Sequence, residues 1–333
     1  MLHIVIVNWN GSEDTVDCVK SILKDDPIDV NVIVVDNGSE EKQTNFLRSE
    51  LYWLNKLHIV ETGENLGFSG GNNAGIWYIL GIGSLCDEDF VLFLNNDTTV
   101  ENWFHVPLLE AFKKNKKLGI AQPLILYEHN KNLVNSFGQV YSKNWLAFSP
   151  FREKDRNVTK DMENTTPLSL VSWCAFCTRA EIINEVMENS QGNQFWDEDF
   201  FLYGEDVEIS LRIRSLWYGA AWVTDSVIYH KEGASTKKLS KVALFHSYKN
   251  ITQTYLVSFD MRELAKLGPY LFVMELISMP YTLLNGNFLT WLKAKIWVLK
   301  NWSMIMKKRD SNLRNKRKSL ISEFTNKWVT EKA

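Results

Sequence analysis

The chain has 333 residues, of which 45% are apolar and 23% charged, proportions that suit a globular protein with one large domain and an appendage, or two domains. Its net charge of −3 conceals an uneven distribution: residues 293–333 hold 12 Lys or Arg against Asp310, Glu323 and Glu331, leaving the tail at +9 and the remainder at −12. Cys18, Cys86, Cys174 and Cys177 show no framework spacing, which excludes a disulfide scaffold and, with a strand rather than a signal peptide at the N-terminus, leads us to expect a reducing, cytosolic setting.

In chain order, Leu2 to Val7 reads as a buried strand ending at Asn8-Trp9-Asn10-Gly11, followed by a helix with Ser12 at its N-cap. Val30 to Val35 is a second strand, ending at Asp36-Asn37-Gly38-Ser39, and Leu57 to Val60 a third. A Gly-rich loop over 65–73 then opens a helix near Ala74. Phe90 to Leu94 is an apolar run of the kind buried on both faces of a parallel sheet, and it leads into Asn95-Asn96-Asp97.

Residues 127–166 read as an irregular excursion. Periodicity resumes with a strand over 168–173 and a helix from Ala180 to Met187. The acidic, aromatic stretch from Phe195 to Tyr203 leads through Gly204-Glu205-Asp206 into a helix over Val207 to Leu216. Strands follow at Ala220 to Val223 and at Val227 to Tyr229, just before His230. The Cys174-x-x-Cys177 pair lies in an apolar segment without a second pair, so it reads as packing rather than a zinc site.

Beyond Phe245 the pattern is helical. Tyr270 to Leu284, interrupted by Glu275 and Pro280, falls short of the ~20 residues a spanning helix needs. Phe288 to Met306 alternates Trp, Leu, Ile and Met with Lys, as an interfacial amphipathic helix does. The 13 Trp fit places where one end of the ring is buried and the other wet, such as sugar clefts and membrane interfaces.

Strands alternating with helices predict an α/β fold with a doubly wound, mostly parallel sheet and a C-terminal helical extension. In such sheets ligands bind outside the carboxyl ends of the strands, here lined by Asn8, Asp36, Asn65, Asn95 and Asp97. No G-x-G-x-x-G follows the first strand and no P-loop is present, which argues against dinucleotide oxidoreductases and P-loop nucleotidases. Asp97 can hold a divalent cation together with substrate phosphates. His230 at its own strand end can join it. A carboxylate from the Glu205-Asp206 cluster can take a proton from an attacking hydroxyl.

These residues resemble a family. The runs 5–11, 34–39, 65–75 and 94–97, followed by Phe195-x-Asp197-Glu198-x-Phe200-Phe201-x-Tyr203-Gly204-Glu205-Asp206 and His230, are similar to the successive signatures of family 2 glycosyltransferases. The branch most alike is the rhamnosyltransferase-like one, which also contains galactofuranosyltransferases. The resemblance covers residues 2–236 and implies a GT-A catalytic domain over 1–245, with a nucleotide-binding half at 1–100 and an acceptor or catalytic half at 168–236. A basic, helical, membrane-associating region would fill 246–333.

The resemblance further implies inverting transfer of a sugar from a nucleotide donor to a hydroxyl. Asp36 would hold the base or ribose, Val7 and Asn8 would form the base wall, and Asn65, Gly67 and Asn73 would lie along the nucleotide-sugar path. Asn95, Asn96 and Asp97 match the D-x-D metal motif, with Asn95 in place of its first acid. Asp97 and His230 would bind Mg²⁺ or Mn²⁺, Asp206 would be the base with Glu205 beside it, and Trp173, Trp196 and Tyr203 would face the acceptor. The favoured donor is dTDP-rhamnose, with a UDP-linked galactofuranose or other hexose as the alternative. The acceptor would be a growing bacterial cell-surface polysaccharide, an O-antigen or capsule, linked to polyprenyl diphosphate at the cytoplasmic face of the membrane. The basic tail would meet anionic lipid, and no nucleic-acid partner is expected. A non-catalytic nucleotide-sugar-binding scaffold is the alternative from another class; joint retention of Asp97, Asp206 and His230 argues against it.

Overall fold

The computed structural model describes residues 1–320 apart from 25–29, 84, 137, 142–146, 161, 163, 164, 168, 169, 173, 233–239, 317 and 318. The first half runs β1 (Leu2–Asn8), α1 (Ser12–Leu23), β2 (Val30–Asp36), α2 (Glu41–Leu51), β3 (Leu57–Glu61), α3 (Gly67–Gly81), β4 (Phe90–Asn95), β5 (Thr98–Val100), α4 (His105–Lys114) and β6 (Leu118–Tyr127). Then come the short strands β7 (Val134–Ser136), β8 (Val140–Tyr141), β9 (Ala147–Phe148) and β10 (Thr165–Pro167), followed by β11 (Ala175–Arg179), α5 (Ala180–Glu188), α6 (Glu205–Ser215) and β12 (Gly219–His230). The chain continues as α7 (Lys241–Ser258), α8 (Met261–Leu284), α9 (Phe288–Lys300) and α10 (Trp302–Arg314).

The apolar strands β1, β2 and β4 are buried on both faces and pair in parallel with β3 in the order β3-β2-β1-β4. Burial on both faces requires a helical layer on each side. One layer is α1, α2 and α4, whose Val16, Ile22, Leu47, Leu108 and Phe112 pack beneath the strands. The other is α3, α5 and α6, with Ile76, Ile79, Ile182, Ile209 and Ile213. Past β4 the sheet turns mixed: β11 runs antiparallel to β4 and β6, β12 parallel to β6, and β10 closes the edge antiparallel to β12.

Several elements differ from the sequence reading. The helix α3 begins at Gly67 rather than Ala74. Its glycines are packing positions: a Cβ on Gly71 would lie 2.7 Å from Val7 Cγ1, and one on Gly75 2.5 Å from Val5 Cγ1. Only glycine lets the helix axis approach β1 this closely. Ser12 is the first residue of α1, with Gly11 at the cap, and its hydroxyl donates instead to the Gln43 carbonyl at 3.0 Å. Central strand β6 has no counterpart in the sequence reading, and the two strands before His230 are one, with a register shift between Val223 and Val227. Of the strand expected over 168–173, residues 168, 169 and 173 lie outside the described residues, and Leu170 forms an isolated bridge with Gln139. Helix α8 runs 24 residues with Pro269 and Pro280 inside it, longer than expected, and the amphipathic stretch 288–306 is divided into α9 and α10 at Asn301.

The C-terminal helices dock on the layer that contains α6. Lys308 on α10 pairs with Asp197 and Asp199, and Asn312 donates to Glu208 at 3.4 Å. Lys316 pairs with Asp260 and Glu263, and Lys295 with Glu275. Part of the tail's positive charge is therefore neutralised within the protein.

Candidate active site

Parallel register sets the strand ends level: Asn8 stands beside Asp36, and Val7 beside Asn95. The Asn8 amide donates to Asp36 Oδ1 at 3.2 Å and to Ser39 Oγ at 3.1 Å, while its Oδ1 accepts from Gly11 N and Thr15 Oγ1. Asp36, 2% exposed, takes a second bond on Oδ2 from Thr44 Oγ1 at 2.5 Å. Val7 faces α3. Asn37 joins this row to the α3 entrance, donating to Gly67 O at 2.9 Å and Asn65 Oδ1 at 3.3 Å, while Asn65 Oδ1 accepts from Gly67 N at 2.8 Å.

Asp97 and His230 meet on adjoining strand ends, with Asp97 Oδ1 3.1 Å from His230 Nε2. On the other side of the ring, His230 Nδ1 lies 3.0 Å from Asn135 Oδ1. Asn135 in turn donates to Glu232 Oε2 at 2.5 Å, and Arg152 pairs with Glu232 Oε1 at 2.5 Å. With the Asn135 amide so oriented, its oxygen accepts from Nδ1–H and leaves Nε2 as the nitrogen available to a cation, the support usual for a ligating histidine. Burial opposes charge on His230, but the Cys174 sulfur and the Asp97 carboxylate outweigh it and raise its pKa to about 11. A cation bound here would take the place of the Nε2 proton.

The donor set fits a cation that arrives with substrate. Asn95 Oδ1 is buried without a hydrogen-bond partner among the described residues. Also among the described residues, no group of three or more His, Cys, Asp or Glu side chains is arranged to hold a metal. A cation on Asp97 and His230 would therefore complete its shell with substrate phosphates and water, as Mg²⁺ commonly does.

The paired carboxyls begin α6. Asp206 accepts from Gln139 Nε2 at 2.7 Å on one oxygen and from Val207 N at 2.8 Å on the other. Two donors from different segments fix its orientation. Glu205 is 4% exposed and its Oε2 has no hydrogen-bond partner among the described residues. Burial, then the charge of Asp206, pushes the Glu205 carboxyl far above the ordinary carboxylate range. Of two adjacent carboxyls, the one buried with fewer hydrogen-bond donors holds its proton more readily. Tyr203 is partly exposed next to them, its phenol raised by burial and by Glu205.

The loop preceding these acids is held open by unusual backbone. Phe201, Tyr203 and Gly204 have φ of 58°, 66° and 83°, a region costly for side-chain-bearing residues. Asn250 on α7, 1% exposed, donates to the carbonyls of Phe200, Leu202 and Tyr203 over 2.5–2.9 Å. From the other side Phe68 N donates to Phe201 O at 2.7 Å, and a Cβ on Gly67 (φ +72°) would sit 2.5 Å from Phe201. The entrance of α3 and the acid-bearing loop thus form one contiguous structure.

Three expectations are corrected. Trp196 does not face an acceptor: it is fully buried, edge-on to Phe93 at 5.2 Å and beside Phe68, Phe176 and Phe195. Asn73, 1% exposed, clamps the Trp196 backbone at 2.9 and 3.0 Å and Glu198 Oε1 at 3.0 Å, so its carboxamide serves the fold rather than a nucleotide-sugar path. The Asn96 amide ties β4 to α1 through Gly11 O and Thr15 Oγ1, at 3.2 and 3.1 Å, rather than lining the cofactor site. Asp197 and Asp199 are paired by Lys308, so the acidic density seen in sequence is largely structural. Trp173 lies outside the described residues. Cys174 and Cys177 are buried free thiols. Sequence reading gives no role to Asn37 and Glu232, which stand just past the strand ends at Asp36 and His230, and passes over Asn135, Gln139 and Asn250, which no spacing links to the strand ends and which only the folded excursion and α7 bring in.

The sheet, its two helical layers and the row of polar strand ends define a GT-A glycosyltransferase. The sequence model of Glycosyl transferase family 2 matches residues 3–186, and the chain belongs to that family. It is 23% identical over 255 residues to the low-salt glycan biosynthesis hexosyltransferase Agl10 of Haloferax volcanii, covering 75% of this chain and 73% of that protein. It is 26% identical over 219 residues to the rhamnosyltransferase WbbL of Escherichia coli K12, covering 64% of this chain and 76% of that protein. Similarity to the dTDP-rhamnosyl transferase RfbF of Shigella flexneri is 29% over 126 residues, 38% of each chain. Among solved structures, GalNAc-T7 with UDP, GalNAc and Mn²⁺ aligns with a TM-score of 0.58 at 16% identity over 78% of this chain, which spans only 48% of that one. Staphylococcus aureus TarS 1–349 with UDP aligns at 0.50 and 15% over 81% of this chain and 70% of that one.

Proposed function

We propose that this glycosyltransferase is inverting and metal-dependent, and moves rhamnose from dTDP-rhamnose to a hydroxyl of a lipid-linked, growing cell-surface saccharide. The observation that carries the mechanism is the pairing of two sites: Asp97 with His230, and Asp206 held by Gln139 beside the buried Glu205 carboxyl. Asp36, Asn8, Val7 and Asn65 would receive the nucleotide at the level strand ends. Mg²⁺ or Mn²⁺ held by Asp97 and His230, with Asn95 as a neutral neighbour, would neutralise the charge that develops on the diphosphate. The ionised Asp206 takes the acceptor hydroxyl proton as that oxygen attacks the anomeric carbon and the nucleoside diphosphate departs from the opposite side. A protonated Glu205 leaves the negative charge on Asp206 alone. Tyr203, partly exposed at this edge, would contact the acceptor.

Two relatives named for rhamnosyl transfer support the donor; a UDP-linked galactofuranose or other hexose is the second reading, favoured by UDP in the solved structures of like fold. A polyprenyl-diphosphate-linked acceptor places the reaction at the cytoplasmic face of the membrane. Incubating the protein with dTDP-rhamnose and a panel of UDP-sugars, with Mg²⁺, Mn²⁺ or EDTA, tests donor and cation together. Turnover of dTDP-rhamnose is expected, abolished by EDTA and reduced at least about a hundredfold in Asp206→Asn. Unchanged turnover in Asp206→Asn would remove the base assignment.

A further inference from the structure

The outer face of α8 has no role in the site. From Leu267 to Leu284 the one charged residue is Glu275, which turns inward to Lys295 and accepts from Trp291 Nε1 at 3.2 Å. Outward, Phe272, Val273, Leu276, Ile277 and Leu284 are 51–88% exposed. The helix has a mean hydropathy of 1.3 in its most apolar 18-residue window, of which 11% is buried.

At 100° per residue, the exposed apolar positions from Tyr270 to Leu284 sweep an arc of about 200°. A partner helix needs a stripe about half that wide; an arc this broad is what a fluid apolar medium wets. Tyr270 and Tyr281, 49% and 63% exposed, have the apolar body and polar tip found at bilayer boundaries. On α9, exposed Leu289, Leu292, Ile296 and Leu299 share a face with Lys293 and Lys300 at its edge, an arrangement in which lysines snorkel to lipid phosphates. The inner side of α8, with Leu271, Met274 and Thr282, is turned toward the protein around a cavity of about 140 Å³ shared with α7 and α9. That side is not available to lipid.

We propose that α8 and α9 form a monotopic membrane-docking face, with α8 lying in the acyl–headgroup boundary of a phospholipid bilayer and Lys293 and Lys300 meeting its phosphates. This deepens the reading of a lipid-linked acceptor and rests on it for its purpose, but its geometry and its test are independent of turnover. Apolar insertion of the exposed arc provides the main attraction, and Lys295, Lys308 and Lys316, already paired within the protein, take no part in it.

The test is co-sedimentation of the full chain with vesicles of phosphatidylcholine alone and with added phosphatidylglycerol, at low and high salt. The wild type should bind both, with a phosphatidylglycerol-dependent increment that salt removes. The triple variant Phe272→Ser, Leu276→Ser, Ile277→Ser should lose about a hundredfold in partitioning, three half-buried apolar side chains at the usual transfer value. Lys293→Ser with Lys300→Ser should lose only the salt-sensitive increment. The single variant Leu284→Asp, at a position 88% exposed, provides a milder change, with unaltered thermal melting and donor hydrolysis confirming the fold. A wild type that stays in the supernatant with both vesicles overturns the proposal, as does a correctly folded triple variant that binds undiminished. A dimer in solution that the triple variant dissociates would assign the face to a second copy instead.

Discussion

Replacing Asn250 with Ala removes the clamp on the loop that carries Glu205 and Asp206. The two amide hydrogens serve three carbonyls, those of Phe200, Leu202 and Tyr203, and each buried bond contributes about 1 kcal/mol. Those carbonyls would then be left without this donor, each at a cost of up to about 1–3 kcal/mol where water cannot reach. Asn250 Oδ1, itself without a partner among the described residues, disappears with the substitution and returns part of that cost. The net expectation is a loss of about 2–3 kcal/mol, large for one side chain that touches no substrate. Relaxation of Phe201 and Tyr203 from positive φ should displace Asp206, and misplacement by about an ångström costs on the order of a hundredfold in rate. The row at Asn8 and Asp36, proposed to receive the donor, is untouched, so kcat should fall while the donor KM stays within about threefold. Urea denaturation at an unchanged m-value, together with steady-state kinetics, measures both effects. A variant within about 0.5 kcal/mol of wild type, or with full kcat, would refute the clamp as the element that positions the base.

The pH dependence of stability should report Glu205. Its folded pKa lies above its unfolded one, so the native state holds a proton already released by the unfolded chain between the ordinary carboxylate range and about pH 8. Stability therefore falls as pH rises through that window, by up to about 1.4 kcal/mol per unit; Glu205→Gln should lack this component, and parallel urea-midpoint curves from pH 5 to 8 would rule it out. Gln139→Ala should lower kcat about tenfold by freeing one Asp206 oxygen, and Gln139→Glu, which sets a like charge beside Asp206, should do more damage and shift the acid limb of the pH–rate profile upward. Trp196→Ala should cost about 3–5 kcal/mol in a denaturation experiment, as a fully buried aromatic does; a loss confined to acceptor KM would restore it to a binding surface.

Legibility depends on how far each signal draws on neighbours distant in sequence. The β4 run and its Asn95-Asn96-Asp97 end can be read directly, because both-face burial leaves an uninterrupted apolar string. Likewise the pairing of Asp97 with His230 accords with each standing at a strand end. Strand β6 is hidden because Gly119 and Pro123 punctuate it, and both ordinarily argue against a central strand. Glycines 67–75 read as a loop because sequence does not show Val5 and Val7 pressing on them. The acids at 197–199 suggest chemistry because Lys308, more than a hundred residues away, supplies their counter-charge. Asn135, Gln139 and Asn250 carry no local pattern; a carboxamide acquires its meaning from the groups it bridges.

The clamp formed by Asn73 has a consequence for inheritance. The family-matched stretch, residues 3–186, is joined to the remainder of the chain partly through main-chain atoms, Asn73 to the Trp196 N–H and carbonyl and Phe68 N to the Phe201 carbonyl, and partly through side-chain pairs, Gln139 with Asp206, Asn135 and Asp97 with His230, and Arg152 with Glu232. The main-chain contacts are indifferent to side-chain identity on the far side, whereas the side-chain pairs oblige the two stretches to change together. Within the later stretch, Asn250, Lys308 and Asn312 address the acid-bearing loop and α6 individually. A hybrid enzyme joined near residue 190 should therefore take Asn135, Gln139 and Arg152 from the same relative as Asp206, His230 and Glu232. A join at 245 would split α7 and part Asn250 from the loop it was selected with.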